Sequence, residues 1–472
     1  MLRKIININS FPVFLSIFLF TACKVGKEYQ RPVVEVPAQF SNNATPDTSS
    51  IANLSWKQLF ADTTLQNLIN AGIQHNYDLL QALKRIDIAE QQVKRARLLQ
   101  LPEANLQISG AINRPSDNSL NGLSANSFLG KSYIENYNAT VNISWEADIW
   151  GKIRRQKEVT LASYLQTFEA AKAVQTQLVT SIAQGYFNLQ MLDKQLEITK
   201  KNLALTDSFV AVTNLLQRSG EVTALAVQQA QLQQQATAYL IPGIEQDITL
   251  QENALQVLTG RLPGTLQRQA LSDDLLQDSL QTGLPLSIVN RRPDVRADEM
   301  ALVAANARVG IAQASMYPAL NITAGAGLES FKSANWISIP NSLFVLAAGS
   351  ITQPLFQRRE LKTNFETARI QREEAVLKFK QSVLNAVAEV ENALTKIDKS
   401  AEQKLIVTGQ SVIAQQAVHN AQLLFKSDMA NYLEVITAQQ RALQSELQVA
   451  TIERIQRDVR VELYRSLGGG WQ

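Results

Sequence analysis

The residues of this sequence that could carry acid–base, phosphate or metal chemistry are few and scattered. Among 472 residues there are two histidines, His75 and His419, and each stands alone on a segment with helical periodicity. Residues Gly130–Ser132 read Gly-Lys-Ser, as at the end of a phosphate-binding loop, but Ala125 stands where that motif needs its first glycine. No paired nucleophile and base, metal-ligand set or dinucleotide fingerprint is visible. We therefore predict that the protein is not an enzyme and uses no cofactor and no metal.

The single cysteine, Cys23, points to lipid attachment, because one thiol can form neither an internal disulfide nor a multi-cysteine metal site. Basic residues in Met1–Lys4, an apolar stretch over Phe11–Phe20 and small residues before Cys23 follow the order of a secretory signal. Leu19–Cys23 resembles a bacterial lipobox, which implies diacylglycerol on the thiol and cleavage before it. We predict a signal peptide over residues 1–22 and a lipidation site at Cys23. The alternative is an ordinary signal peptide followed by a free cysteine.

Composition narrows the class of protein. The 45 Lys and Arg residues nearly balance 42 Asp and Glu residues, and a net charge of +3 gives no sign of a nucleic-acid partner. Hydrophobic residues make up 45% and charged residues 18%, and the mean hydropathy is −0.10. These values exclude a disordered chain and a polytopic helical membrane protein.

The sequence after Cys23 divides into a tether and two copies of one pattern. Prolines and small polar residues over 23–55 predict an extended, lipidated tether. Beyond it, four residues recur 216 positions later: Val93, Ala96, Pro102 and Asn105 as Val309, Ala312, Pro318 and Asn321. Five more recur 208 positions later: Ser219, Leu225, Val227, Ala230 and Gln231 as Ser427, Leu433, Val435, Ala438 and Gln439. We predict an internal duplication, with a first repeat over 56–290 and a second over 291–472.

Each repeat contains a long segment that favours an antiparallel pair of helices. Trp150–Arg218 has no proline and has apolar residues at heptad-compatible spacing. A turn at Ser219 and Gly220 predicts a helical hairpin over about 150–259, and the second repeat predicts another over about 356–467. Abundant Ala and Gln favour close-packed walls, whereas a filled four-helix bundle is the alternative.

Each repeat also contains two strand-like segments. They predict strands at about 103–113, 136–146, 319–330 and 342–353, and apolar and polar residues alternate in the first three. The pattern of the fourth is ambiguous, but alignment with Trp145 places Val345, Ala347 and Ile351 on the outward side. This pattern suits an outer-membrane barrel, although soluble antiparallel sheets share it. Because four strands cannot close a membrane barrel, strands that enter the bilayer would require oligomerisation.

Several motifs together resemble the outer-membrane efflux family of TolC and OprM type, specifically its NodT-like outer membrane factor lipoproteins of RND tripartite pumps. The resemblance covers nearly all of the mature chain. The matching segments are Cys23–Pro32 after the lipobox, Ser144–Lys152 at the strand-to-helix junction, Pro285 with Arg291–Arg296 and Pro318 at mid-chain, Pro354–Phe356, and Leu467–Trp471.

The resemblance implies a mainly α fold with β: a homotrimer with a twelve-stranded outer-membrane β-barrel, four strands per protomer, continued by a periplasmic α-helical barrel of coiled-coil hairpins. It implies a passive exit duct for small molecules, drugs or other toxic compounds, in the outer membrane. The implied partners are a periplasmic adaptor protein, an inner-membrane RND-type transporter and outer-membrane lipid. A duct for type I secretion and a lipid-anchored coiled-coil scaffold without a pore are the alternatives.

The mid-chain motif contains Arg291, Arg292, Pro293 and Asp294, which open a helix at the proline. We expect capping or ion pairing from these residues rather than contact with a substrate. Trp145 and Trp150 fit either interfacial anchors or packing at the base of a barrel.

The periplasmic tips of the hairpins are the expected gate. The family closes its entrance there with polar and charged rings, one of which uses an aspartate before an Asn-Tyr-Leu run. Here Ala430 precedes that run, so this aspartate cannot be carried over. The gate candidates are Ser219, Gly220, Asp428, Asn431 and Tyr432, with Asp428 as the substitute acid.

Overall fold

A computed structural model describes residues 25–37, 40, 50–269 and 285–472, so the predicted signal peptide and Cys23 lie outside the described residues. The chain divides into two units. The strand unit comprises the chain up to Pro32, Ile88–Tyr164 and Met300–Leu377. The hairpin unit comprises Val33–Asp87, Leu165–Glu299 and Lys378–Gln472. No helix in the described part of the chain is long and apolar enough to span a membrane.

Helices of 4 to 22 residues come before the first strand and before the third. They are α1 (Trp56–Leu59), α2 (Thr63–His75) and α3 (Tyr77–Leu98), then α7 (Pro285–Arg291) and α8 (Pro293–Ala314). Helix α2 begins where it does because Asp62 Oδ1 accepts hydrogen bonds from the amides of Thr64 and Leu65 at 2.7 and 3.3 Å. Its residues Leu65, Leu68 and Ile69 form a buried face.

The strand unit contains one sheet of four antiparallel strands in sequence order. The strands are β1 (Glu103–Asn113), β2 (Ile134–Ala147), β3 (Ala319–Ser330) and β4 (Leu343–Thr352). The connection between β1 and β2 holds a short helix, α4 (Leu120–Ser124), which the sequence patterns did not predict. Paired residues face the same side of a sheet, so the register decides which side chains share a surface.

Two long helical hairpins follow the strand pairs. They consist of α5 (Lys152–Ser219) with α6 (Ala224–Leu258), and α9 (Glu360–Lys426) with α10 (Tyr432–Ser466). The outgoing helices have 68 and 67 residues and both returning helices have 35. At ~1.5 Å per residue the outgoing helices are about 100 Å long. Helix α9 starts at Glu360 rather than near 356, because Arg358 and Arg359 have positive φ angles of 47° and 67°.

Candidate functional site

The register of the sheet collects the apolar side chains on one face. Leu106 of β1 pairs with Val141 of β2, which pairs with Ala326 of β3, which pairs with Val345 of β4. The outer members of this row, Leu106 and Val345, are 68% and 75% exposed. The same face holds Ala347 and Ile351, as predicted for the fourth strand. The strand unit thus presents an exposed apolar surface, which a soluble monomer rarely does.

The opposite face is polar on β1, β2 and β3, where β3 contributes glycines, whereas β4 places Phe344 and Leu346 on it. Gln107 pairs with Thr140, which pairs with Gly327. A Cβ at Gly327 would lie 2.1 Å from the Ala139 carbonyl oxygen, and one at Gly325 would lie 3.1 Å from Asn142 Oδ1. Gly327 therefore lets the backbone of β2 lie close to β3, and Gly325 leaves room for the Asn142 side chain.

The two edges of the sheet are open. Among the described strands, β1 has only β2 as a neighbour and β4 has only β3. Each outer edge presents a row of backbone N–H and C=O groups with no ladder partner. Such an edge is costly wherever water is absent.

The junction between β2 and α5 is fixed by side-chain contacts. Asp148 caps α5, because its carboxylate oxygens accept hydrogen bonds from the amides of Ile153 and Arg154 at 2.8 and 2.9 Å. The indole N–H of Trp150 donates to the Pro318 carbonyl at 2.7 Å, and that of Trp145 donates to the Gln100 carbonyl at 2.9 Å. Both tryptophans thus hold the strand ends in place.

The segment just after the predicted lipidation site is bound to the strand unit. The buried Arg155 donates from one terminal nitrogen (Nη2) to the carbonyl oxygens of Gly26 and Lys27 at 3.2 and 3.3 Å. Asn306 Nδ2 also donates to the Lys27 carbonyl, at 3.1 Å. Gly26 has a φ of +90°, and a Cβ there would lie 2.9 Å from the Cα of Gly310. The tether was predicted to be extended, and the structure shows that its first described residues are held against the protein.

The two hairpin turns in the hairpin unit share one backbone form. Gly220 has a φ of 82°, and the next amide, of Glu221, donates to the Leu216 carbonyl at 2.9 Å. Asp428 has a φ of 59°, and the next amide, of Met429, donates to the Leu424 carbonyl at 2.9 Å. Both are Schellman-type helix ends, in which a left-handed residue closes the helix. Ser219, Gly220 and Asp428 are exposed there.

The returning helices start with polar caps over an apolar cluster. Asn431 forms a capping box with Glu434, its Oδ1 accepting from the Glu434 amide at 3.1 Å. Tyr432 is half-buried and packs against Phe209, Ala230, Val435 and Ile436, beside the rings of Phe209 and Phe425, whose centroids are 5.6 Å apart. The cluster includes residues of both hairpins, so it holds both turns at one end of the hairpin unit.

The mid-chain motif forms an ion-pair network in the hairpin unit. The buried Arg292 binds Asp294 with distances of 2.5 and 3.0 Å, Glu389 of α9 at 2.8 Å and the Ser466 carbonyl at 3.3 Å. Arg465 joins it through Glu389 at 3.1 Å. Burial alone would raise the pKa of Asp294, but the hydrogen bond and charge of Arg292 hold that pKa below its ordinary value. Pro293 begins α8 and Arg291 ends α7.

A contact that corresponds to the Arg292–Ser466 bond lies earlier in the chain, and the sequence analysis did not predict it. Asn76 lies between α2 and α3 and donates from Nδ2 to the Leu258 carbonyl at 3.1 Å. Gly260, with a φ of +69°, lies against the backbone of His75, where a Cβ would be 2.4 Å from the carbonyl oxygen. Leu258 and Gly260 precede Ser466 and Gly468 by 208 residues, and Asn76 precedes Arg292 by 216. The repeat spacings of 208 and 216 residues could have predicted this contact from the sequence.

The polar residues that the sequence singled out lie on separate elements of the described chain. Lys131 lies 3.7 Å from Glu135 and 5.0 Å from the ring centroid of Tyr133, and the segment leads into strand β2 rather than into a phosphate-binding helix. His419 is exposed on α9. Within the described ranges, no group of three or more His, Cys, Asp and Glu side chains is arranged to hold a metal ion.

Comparison with known proteins identifies the family. The family model described as "Outer membrane efflux protein" matches residues 68–261 and 284–469. The chain is 29% identical over 464 residues to the cation efflux system protein CusC of Escherichia coli O6:H1, covering 96% of each chain. It is 26% identical over 469 residues to the probable outer membrane lipoprotein SilC of Salmonella typhimurium, covering 97% of each.

A solved structure of the outer-membrane channel OprN superposes with a TM-score of 0.87 at 25% identity, covering 95% of this chain and 100% of that one. That match extends over both predicted repeats. The exposed apolar sheet face, the polar opposite face and the long hairpins suit such a channel. The chain therefore belongs to the outer membrane efflux protein family and acts as an outer-membrane channel of an efflux system.

Proposed function

We propose that the chain works as a homotrimer in which three four-stranded sheets close one twelve-stranded barrel. The two open edges of the sheet carry this proposal, because unpaired backbone edges are not tolerated in hydrocarbon. Pairing of β1 with β4 of a neighbouring copy removes every edge. The exposed apolar face then meets lipid, and the polar face lines a water-filled path.

Two exposed stripes on the long helices support assembly through the hairpins as well. The α6 stripe consists of Leu225, Leu232 and Tyr239, which are seven residues apart and 54%, 64% and 82% exposed. The α9 stripe consists of Leu405, Ile406, Val412 and Ile413, which repeat at the same heptad spacing. Heptad stripes form the seams of coiled coils, so α6 of one copy is a suitable partner for α9 of the next.

The matching contacts at Asn76 and Arg292 support the proposed internal duplication. Each joins the start of a repeat to the end of its returning helix, and each places a left-handed glycine against the preceding backbone. Two similar hairpins per copy give six in a trimer, which is enough to surround a periplasmic tunnel. The tunnel receives small molecules from a periplasmic adaptor and an inner-membrane RND-type transporter, which supply the energy.

Lipid attachment at Cys23 is the proposed anchor. The lipobox-like sequence supports it, as does similarity to a relative named as an outer membrane lipoprotein. Metabolic labelling with a radioactive or clickable fatty acid tests the site. Cys23→Ser should abolish labelling, and unchanged labelling would refute the assignment.

Planar-bilayer recording of the purified assembly tests passive conduction. Tyr432 and Phe209 belong to the cluster that holds the turns together, so Tyr432→Ala with Phe209→Ala should open the entrance and raise the conductance. Ser208→Ala is the matched control, because its exposed hydroxyl donates to the Ala204 carbonyl of its own helix and Ser208 is not a gate candidate. Absence of conductance from both the wild type and the opened variant would contradict a duct and would favour a scaffold.

A further inference from the structure

A cavity beside the bound N-terminal segment has the chemistry of an anion site. It has a volume of about 490 Å³ and lies within the strand unit. Gly26 and Lys27 form one wall, Asn306 of α8 another, and Arg369 and Arg372 of α9 a third. The site is thus built from the tether and from two helices.

The cations of this cavity are only partly neutralised by the protein. Arg372 Nε is buried and has no hydrogen-bond partner in the described part of the chain. Arg369 pairs with Glu366 at 3.1 Å and, more loosely, with Glu373 at 4.0 Å, and its side chain remains 55% exposed. A guanidinium with free donors binds a phosphate oxygen well, because its planar fork can make two parallel hydrogen bonds.

The length of the tether places this cavity close to the bilayer. Gly26 is three residues after Cys23, and an extended chain spans at most ~3.6 Å per residue, so Gly26 lies within about 11 Å of the acylated residue. The polar headgroup layer on each side of a bilayer is itself about 5–8 Å thick. Long arginine side chains reach that layer while their stems stay on the protein.

We propose that this cavity binds the phosphate of an anionic phospholipid headgroup, with Arg369 and Arg372 as the binding residues and the docked Gly26–Lys27 segment as its wall. The site rests on the proposed acylation of Cys23, which brings the cavity to the membrane surface. The bound lipid would fix the depth of each protomer beside its covalent anchor. Phe365 and Val309 also line the cavity and offer apolar surface to the glycerol region.

Native mass spectrometry of the full, delipidated assembly titrated with phosphatidylglycerol tests the proposal. Saturable binding of one lipid per protomer is expected, and Arg369→Gln with Arg372→Gln should weaken it about tenfold. Lys362→Gln with Lys380→Gln removes two charges from exposed positions on the same helix that do not line the cavity, and it should change binding less than about twofold. Arg369→Gln alone serves if the double variant does not assemble, with about a threefold loss expected.

Three outcomes would overturn the site. They are equal lipid binding by wild type and variant, no saturable binding at all, or complete displacement by millimolar inorganic phosphate, which would indicate a free-anion site. The intact mass of the same sample reports acylation of Cys23 directly. Acylated protein without bound lipid would therefore contradict the headgroup site alone, whereas unmodified protein would contradict the anchor.

Discussion

The two proposed repeats contain corresponding contacts that are made by different side chains. In the first, the neutral amide of Asn76 binds the Leu258 carbonyl at 3.1 Å. In the second, the charged Arg292 binds the corresponding Ser466 carbonyl at 3.3 Å and also Asp294 and Glu389. The backbone arrangement is alike, but only the second contact ties a third helix, α9, into the joint.

The two joints therefore have similar backbone geometry but should differ in how much they contribute to stability. The Asn76 amide makes two hydrogen bonds of modest net value, whereas a guanidinium has five donors, each of which is costly to bury unpaired. We therefore expect the two joints to respond very differently to truncation. The second repeat should hold the hairpin unit together, and the first should tolerate more change.

The largest effect is expected from Arg292→Ala. It removes the buried guanidinium that binds Asp294, Glu389 and the Ser466 carbonyl, so the free energy of unfolding should fall by about 3 kcal/mol. Thermal unfolding followed by circular dichroism measures this. Arg308→Ala, at an exposed position of α8, is the control and should stay within about 0.5 kcal/mol of wild type. Equal losses of stability in Arg292→Ala and Arg308→Ala would show that the Arg292 contacts give the second joint no special stability.

A second contrast lies in the returning helices. Helix α10 carries Asp458, whose side chain is 16% exposed and is bound by Arg454. Helix α6 has the exposed Leu250 at the position 208 residues earlier. Burial raises the pKa of Asp458 to about 6, against the attraction of Arg454. The folded protein therefore holds this proton more tightly than the unfolded chain, in which aspartate titrates near pH ~3.9. The contribution to stability is complete below about pH 4 and is lost as the pH rises through about 6.

Asp458→Asn should remove that pH dependence. At pH 8 the variant should be more stable than wild type by up to about 2–3 kcal/mol, and at pH 4 the two should agree. Unfolding midpoints measured across this range give the difference. Leu250→Asn is the matched control in α6 and should leave the wild-type pH profile unchanged. If the stability of the wild type did not change between pH 4 and 8, the predicted contribution of Asp458 would be contradicted.

Asn76→Ala should have a smaller effect than Arg292→Ala. It removes the bond to the Leu258 carbonyl and the 3.0 Å bond from the Leu79 amide at the start of α3, for a loss of about 1–2 kcal/mol. Chemical denaturation measures it. A loss as large as that of Arg292→Ala would show that the neutral joint is equally important.

The smallest expected effect is at the turns, and its sign differs between repeats. Asp428 has a left-handed backbone that glycine adopts without strain, so Asp428→Gly should stabilise the protein by about 0.5–1 kcal/mol. The reciprocal Gly220→Asp should destabilise it by a similar amount. Midpoints of thermal unfolding for both variants test the pair, and shifts of the same sign would contradict it.

The sequence-based predictions that agree best with the structure came from patterns among residues close together in the sequence. Alternation with a period of two reports the face of each residue directly, so it indicated the first three strands. The side of Val345, Ala347 and Ile351 followed from alignment of the fourth segment with Trp145, and the register agrees. Capping or ion pairing by Arg291, Arg292 and Asp294 was likewise expected from neighbouring residues alone, and Arg292 binds Asp294. Heptad spacing indicated the long helices for the same reason.

Contacts between distant residues were beyond such patterns. The Asn76 amide meets a carbonyl 182 residues away, and Arg155 meets Lys27 across 128 residues. The residue type does not predict the partner, because asparagine and arginine can donate to any correctly placed carbonyl oxygen. The left-handed Asp428 was also missed, since its backbone form follows from the helix end rather than from its side chain.

Native mass spectrometry of the purified lipoprotein tests assembly, the central claim, most directly. We predict three copies per particle for wild type. Leu232→Lys with Val412→Lys places charge on the α6 and α9 stripes and should dissociate the particle, whereas Leu262→Lys, at an exposed position outside both stripes, should leave three copies. A wild-type monomer or a particle with another number of copies would contradict the account, and an intact trimer in the double variant would contradict assembly through the two stripes.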